Sequence, residues 1–122
     1  MKSFWIAMLL LAATLVGIGV NYIYINEVSD ELYERIDRLP DVRDPGCVSE
    51  AEDICQYWDE HVNTVGLSVG YTVVDRVSEQ AVTLAACAAC ADFYGFQTAL
   101  ALLRDAVGDM RRLERFSIGN LF

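Results

Sequence analysis

Basic residues are scarce in this chain. Nine Lys and Arg residues stand against 18 Asp and Glu residues, and the formal net charge is −9 at pH 7. The segment from 27 to 60 holds twelve acidic residues against three arginines, a balance of −9 within that segment. An acidic surface repels nucleic acid and anionic lipid headgroups. We therefore expect no nucleic-acid partner, and the acidic residues either form a solvated helix face or attract cations or a basic partner.

Side chains that commonly carry out catalysis are also few. His61 is the only histidine, and the sequence shows no Ser or Cys partner that would make it a general base. Carboxylate pairs such as Glu27 and Glu31, or Asp30 and Glu34, have the spacing of a helix surface. No glycine-rich phosphate loop occurs. We therefore predict no catalytic residues, no cofactor and no enzymatic activity.

Charged residues are absent from one long stretch near the N-terminus. The run Phe4–Ile25 contains no Asp, Glu, Lys or Arg, and a bilayer core about 30 Å thick needs about 20 apolar residues to span it. Trp5 lies at one end and Tyr24 at the other, where aromatic rings suit the headgroup region. The sequence predicts a transmembrane signal anchor over residues 1–26, with the lipid bilayer as its partner.

A cleaved signal peptide is the alternative to a retained anchor. Lys2 supplies a short positive start, and Gly17-Ile18-Gly19 offers small residues that a signal peptidase could accept. The apolar run continues past Gly19 to Ile25, which favours retention. The start is positive and the far flank acidic, so the positive-inside rule places Met1 in the cytoplasm and the following domain outside it. We expect a single-pass protein of the cell membrane.

A seven-residue apolar repeat continues the helix beyond the predicted span. No helix breaker precedes Pro40, so we expect one helix from about residue 2 to residue 39, with an acidic stalk at 27–39. The apolar stripe of this stalk needs a cover, either the downstream helices or a second copy of the chain. The repeat positions are Ile18, Ile25, Leu32 and Leu39. The candidate interaction surface consists of Val28, Leu32, Ile36, Leu39 and Trp58.

Three further helices are predicted after a turn at residues 40–48. Pro40, Pro45 and Gly46 interrupt the stalk helix, and Ser49 with Glu52 has the form of a capping box. Apolar residues then recur at intervals of three and four. The predicted helices are about 49–66, 72–90 and 92–114, with Asp92 as a cap and a tail at 115–122. The predicted fold class is all-α: a transmembrane helix that continues into a stalk, then a small antiparallel bundle of about three helices, residues 27–122 forming one extracytoplasmic domain.

Arginine is concentrated near the end of the last predicted helix. Positive charge suits a helix C-terminus, and we expect these side chains to meet the acidic stalk. They are Arg104, Arg111, Arg112 and Arg115.

The four cysteines are the only grouping that suggests chemistry. Cys87 and Cys90 form a C-x-x-C pair, but they lie late in a helix and not at its N-terminus, where a thiolate would be stabilised. An antiparallel hairpin of the second and third helices, turning near residue 69, brings Cys47 level with Cys90 and Cys55 near Cys87. Outside the cytoplasm this arrangement predicts disulfides Cys47–Cys90 and Cys55–Cys87. Buried free thiols, a four-thiolate zinc site and a redox pair are the alternatives.

The order of these features is similar to that of a known family. A short basic start precedes Phe4-Trp5-Ile6 and a single span, and Asn21-Tyr22 is followed by Ser29-Asp30-Glu31-Leu32. Downstream stand Trp58, His61, Asp75, Asp92 and the segment Glu114 to Phe122. Together these residues resemble the DUF4363 family, small bacterial proteins of unknown function found mainly in Gram-positive Firmicutes. The resemblance implies a one-span helical membrane protein and brings no catalytic residues, and the four cysteines are not part of its pattern.

These observations favour a membrane-anchored structural or adaptor protein. It would act through protein contacts at the extracytoplasmic membrane face, with a membrane protein or a second copy of the chain as partner. The alternative is a thiol redox or metal-binding module that uses the four cysteines.

Overall fold

The chain folds into four helices joined by short turns. The computed structural model describes the backbone of residues 1–121 and the side chains of residues 1–67 and 69–113. In that part of the chain the helices are α1 (Lys2–Asp37), α2 (Gly46–Val69), α3 (Tyr71–Ala89) and α4 (Phe93–Leu121), and no strand occurs. The predicted all-α fold, a long N-terminal helix followed by three packed helices, is confirmed.

The start of α2 differs from the prediction. The helix begins at Gly46, so Ser49 and Glu52 lie inside it and do not form the predicted capping box. Asp44 satisfies the first amide groups instead. Its Oδ1 accepts a hydrogen bond from the Gly46 amide at 2.8 Å, and its carbonyl oxygen accepts one from the Cys47 amide at 3.0 Å. A turn residue upstream therefore takes the role that the sequence pattern assigned to Ser49.

The other two turns depend on residues with positive φ. Gly70, with φ of 95°, separates α2 from α3, and Ala91, with φ of 54°, ends α3. The Asp92 amide donates to the Cys87 carbonyl oxygen at 3.0 Å, which closes α3 as in a Schellman motif. Asp92 Oδ1 then accepts from the Gly95 amide at 3.1 Å, so the predicted cap of α4 is confirmed. Beyond it, α4 continues to Leu121 and exceeds its predicted end at 114.

The helices enclose one hydrophobic core. Each helix packs on its neighbour in sequence, and α1 also packs along α4, which closes the bundle. Trp58 is the largest buried side chain, and its indole Nε1 donates to Ser78 Oγ at 2.7 Å, which joins α2 to α3. Other large side chains that are fully buried include Ile25, Leu32, Ile54, Leu84, Leu103 and Met110.

Only the C-terminal part of α1 takes part in this core. Its buried residues begin at Ile25, whereas the residues from Met1 to Gly17 are all exposed. An 18-residue stretch of α1 has a mean hydropathy of 2.2, and none of it is buried in the chain. The helix is therefore long and apolar enough to span a membrane. A core helix or a signal sequence can meet the same criterion, but a core helix would be mostly buried.

Candidate functional site

The predicted interaction surface lies inside the bundle. Val28, Leu32, Ile36 and Trp58 are each at most 2% exposed, and Leu39 is half-buried against the same core. The downstream helices cover the apolar stripe of α1, so a second copy of the chain is not needed for that purpose. Assigning these five residues to a free surface is therefore corrected: they hold the stalk to the bundle.

The hairpin of α2 and α3 has nearly the expected register. Cys55 Sγ donates to the Ala81 carbonyl oxygen at 3.1 Å, and Trp58 meets Ser78. These contacts place the turn near residue 68, close to the predicted 69. In this register Cys55 faces Ala81, which precedes Cys87 by six residues or about 9 Å along the helix. A Cys55–Cys87 bridge would therefore require a shift along the hairpin.

The four cysteines differ in burial and in their positions on the helices. Cys47 is buried at the start of α2, Cys55 and Cys87 are half-buried, and Cys90 is exposed at the end of α3. All four are free thiols in the structure. Cys47 lies close to the level of Cys90, as expected, but its side chain belongs to the core and that of Cys90 faces solvent. The predicted disulfides are not formed in this structure and stay a prediction.

The surroundings of three thiols oppose ionisation. Burial raises the pKa of Cys47, Cys55 and Cys87 above the ordinary value of 9.0, and nearby carboxylates, such as Asp44 beside Cys47 and Asp92 beside Cys87, act in the same direction. The thiolate is both the nucleophile and the metal ligand. Within the described residues, no three His, Cys, Asp or Glu side chains are grouped so that they could hold a metal ion.

His61 is part of an aromatic cluster that joins α1 to α2. The Tyr24 hydroxyl and His61 Nδ1 are hydrogen-bonded at 2.7 Å, and the Tyr57 ring centroid lies 4.5 Å from that of His61. The Arg35 guanidinium lies 4.7 Å from the Tyr57 ring centroid. Burial raises the pKa of Tyr57, and Glu31 contributes in the same direction. The hydrogen bond between Tyr24 and His61 joins α1 to α2 at this level.

The sequence analysis assigned His61 no catalytic partner and did not predict this cluster. The four-residue spacing of Tyr57 and His61 was a usable signal, because such residues are neighbours on a helix. The contact with Tyr24 had no local signal, since 37 residues separate the two.

Arginines of α4 contact the acidic stalk, as predicted. Arg104 pairs with Asp37 at 2.7 Å, and Arg111 pairs with Asp30. Arg112 pairs instead with Asp109 on its own helix, and the side chain of Arg115 lies outside the described residues. The acidic face of the stalk is thus partly neutralised within the chain, which reduces its capacity to attract a basic partner.

The N-terminal half of α1 is an apolar surface that the other helices leave uncovered. Phe4, Trp5, Leu9 and Val16 are all more than 60% exposed. A groove of about 760 Å³ runs along this half of the helix and ends at Thr64 of α2. Its other lining residues are Leu9, Ala12, Ala13, Val16, Gly17, Val20, Asn21 and Tyr24. Soluble monomers rarely expose a contiguous apolar surface of this kind, so this half of α1 is the strongest candidate site.

Comparison of the chain with protein-family models, with curated proteins and with solved structures found no match. The assignment of a site therefore rests on the geometry of this chain. The resemblance to the DUF4363 family rests on the residues quoted for it.

Proposed function

We propose that this chain is a membrane-anchored structural or adaptor protein that acts through protein contacts at the extracytoplasmic membrane face. The observation that carries the proposal is the continuity of α1, whose exposed apolar half and buried half form one helix of 36 residues. A large apolar side chain gains about 1.5–3 kcal/mol when it leaves water. A bilayer would supply that gain for the exposed half, while the buried half fixes the bundle to it without a flexible linker.

The proposed orientation follows from charge. Lys2 and the amino terminus are positive, whereas Glu27, Asp30 and Glu31 follow the apolar run. The positive-inside rule then places the N-terminus in the cytoplasm and the bundle outside it. In this orientation the chain is a single-pass protein with almost all its polar surface in the extracytoplasmic space.

Thiol labelling in intact cells tests this orientation. Cys90 is exposed, so a membrane-impermeant maleimide, added with an impermeant phosphine reductant, should label the full chain in intact spheroplasts, and Cys90→Ser should lower that labelling. Labelling that appears only after lysis would place the bundle in the cytoplasm. Omitting the reductant in a parallel sample reports on the predicted Cys47–Cys90 disulfide: labelling that requires reduction would support it, and equal labelling without reduction would exclude it.

Retention of the anchor is a separate part of the proposal. The mass of the chain recovered from membranes distinguishes a retained anchor from a signal peptide cleaved near Gly17-Ile18-Gly19. The full mass, with resistance to extraction at alkaline pH, supports an anchor. A soluble product that begins near Val20 would show that the segment is a cleaved signal peptide.

Partner contacts would have to use a surface other than the covered stripe. At the end of the bundle away from the apolar half of α1, Tyr94 is 81% and Phe93 40% exposed, and their rings meet edge to face at 5.6 Å. Exposed aromatic residues are frequent anchors of protein interfaces. Detergent sizing and cross-linking of the wild type and Tyr94→Ala would show whether this end mediates self-association, which the variant should weaken.

The thiol redox or metal-binding alternative has less support. The pKa values of Cys47, Cys55 and Cys87 are raised, which opposes formation of a thiolate at neutral pH. Replacing all four cysteines with Ala would test it: an unchanged cellular phenotype would remove the alternative, and a lost phenotype in a folded variant would favour it. Membership of the DUF4363 family is likewise a proposal, and it adds a class of protein but no activity.

A further inference from the structure

We propose that the tip of the α2–α3 hairpin, residues 66–71, inserts into the leaflet of the bilayer nearest the bundle. This inference rests on the proposed membrane anchor. It gives the protein a second point of membrane contact, so that the bundle would be held at a fixed depth and not only tethered by α1.

The first support is the position of the tip along α1. The two helices are antiparallel, and Tyr24 meets His61 at 2.7 Å. From that contact α2 continues for eight residues to Val69, or about 12 Å, toward the apolar half of α1. Thr64 already lines the same groove as Val20 and Tyr24. The tip therefore lies on the membrane side of Tyr24, a residue that itself belongs to the predicted headgroup region.

The second support is the chemistry of the tip. No Asp, Glu, Lys or Arg occurs between His61 and Asp75. Leu67 is 87% and Tyr71 76% exposed. These two large side chains therefore point away from the core. Tyrosine suits the headgroup region and leucine the boundary of the acyl chains.

The third support is the contrast with the opposite end of the bundle. The α1–α2 turn carries Asp41, Arg43 and Asp44, and the α3–α4 turn carries Asp92. The bundle thus has charged turns at its distal end and an uncharged turn beside the apolar half of α1. This polarity matches an axis that runs from bilayer to water. It favours lipid as the occupant over a soluble protein partner.

Quenching of tryptophan fluorescence by brominated phosphatidylcholine tests the inference in the full chain. Trp5→Phe removes the tryptophan of the apolar half, and Trp58, which is 1% exposed, remains as a constant background. Leu67→Trp then reports on the tip. Leu9→Trp, at a 69% exposed position of α1, is the control for lipid contact, and Val82→Trp, at a 64% exposed position of α3, is the control for water. Circular dichroism checks that each variant keeps its helices.

The outcomes separate the tip from the anchor. We expect Leu67→Trp to be quenched in brominated vesicles like Leu9→Trp, while Val82→Trp responds only to aqueous acrylamide. If Leu67→Trp behaves like Val82→Trp while Leu9→Trp is quenched, the inference fails and the anchor stands. If Leu9→Trp is not quenched, the proposed anchor itself fails. A Leu67→Trp signal that neither quencher reduces would mean that protein covers the tip, which also overturns lipid insertion.

Discussion

The two halves of α1 belong to one continuous helix and have opposite surroundings. In the N-terminal half, Leu9, Leu10 and Val16 are all more than 60% exposed, whereas Ile25 and Leu32 in the C-terminal half are 0% exposed. The seven-residue repeat crosses from one half to the other without a break in the helix. The residues outside the apolar stripe differ between the halves, because acidic residues occur from Glu27 onward. The downstream helices cover the stripe from Ile25. One helix thus presents apolar residues all round in one half and on a single face in the other.

Truncating a leucine should strongly destabilise the chain in one half of α1 and have almost no effect in the other. Leu32→Ala should lower the free energy of unfolding by about 2–5 kcal/mol, because it leaves a cavity in the core. Leu10→Ala, at a 64% exposed position, should leave it within about 0.5 kcal/mol of the wild type. Urea denaturation in mild detergent, followed by circular dichroism, measures both. Equal losses would mean that the N-terminal half is also packed against protein.

A charge introduced into the exposed half of α1 should weaken membrane association, whereas a charge at an exposed position of α3 should not. Val16→Asp places a carboxylate in the middle of the apolar run, at a cost of insertion of about 2.5–3.5 kcal/mol, so a larger share of the chain should be released by alkaline extraction. Val82→Asp is the matched control, because Val82 is similarly exposed but lies on α3. Release of both variants to the same extent would contradict an anchor confined to α1.

Ser29 is a polar residue inside the buried half of α1. Its hydroxyl is fully buried and has no hydrogen-bond partner in the structure. Ser29→Ala should therefore raise the free energy of unfolding by about 1 kcal/mol, because it removes an unsatisfied polar group. Ser78→Ala is the control and should lower it, because Ser78 Oγ accepts the hydrogen bond of Trp58. Destabilisation by Ser29→Ala would point to a partner for that hydroxyl.

The smallest effect is expected at the surface of the stalk. Arg104 and Asp37 are 48% and 61% exposed, and pairs of this kind contribute little because water and salt screen them. Arg104→Ala should change the free energy of unfolding by about 0.5 kcal/mol or less, and the difference should shrink when the salt concentration is raised. A large, salt-insensitive loss would show that the ion pairs, and not the buried stripe, hold α1 to the bundle.

The spacing of apolar residues was sufficient to predict the helices, but it did not predict which partner covers the apolar face of α1. The uncharged run and the seven-residue repeat predicted the length of α1, and Asp92 was correctly placed as the cap of α4. Whether the downstream helices or a second copy covered the stripe depended on how the helices rotate about their axes, which short-range spacing does not specify. The same limit applies to Cys47 and Cys90, which are near in level but differ in burial.

Local patterns also failed where a competing local interaction was stronger. The motif of Ser49 and Glu52 predicted a helix start near residue 49, yet α2 begins three residues earlier at Gly46, whose amide donates to Asp44 Oδ1. The contact of Tyr24 with His61 was not predictable, since it requires the antiparallel packing of α1 and α2 to be known. Both examples show that element type follows from composition and spacing, whereas exact ends and cross-helix contacts follow from packing.

The native tryptophans provide the most direct test of a membrane anchor joined to a folded bundle. Trp5, in the apolar half of α1, is 65% exposed, and Trp58, in the core, is 1% exposed. In vesicles that contain brominated phosphatidylcholine, we predict strong quenching of Trp5 in the Trp58→Phe variant and no quenching of Trp58 in the Trp5→Phe variant. Quenching of Trp5 by aqueous acrylamide, with no response to the brominated lipid, would contradict the membrane anchor.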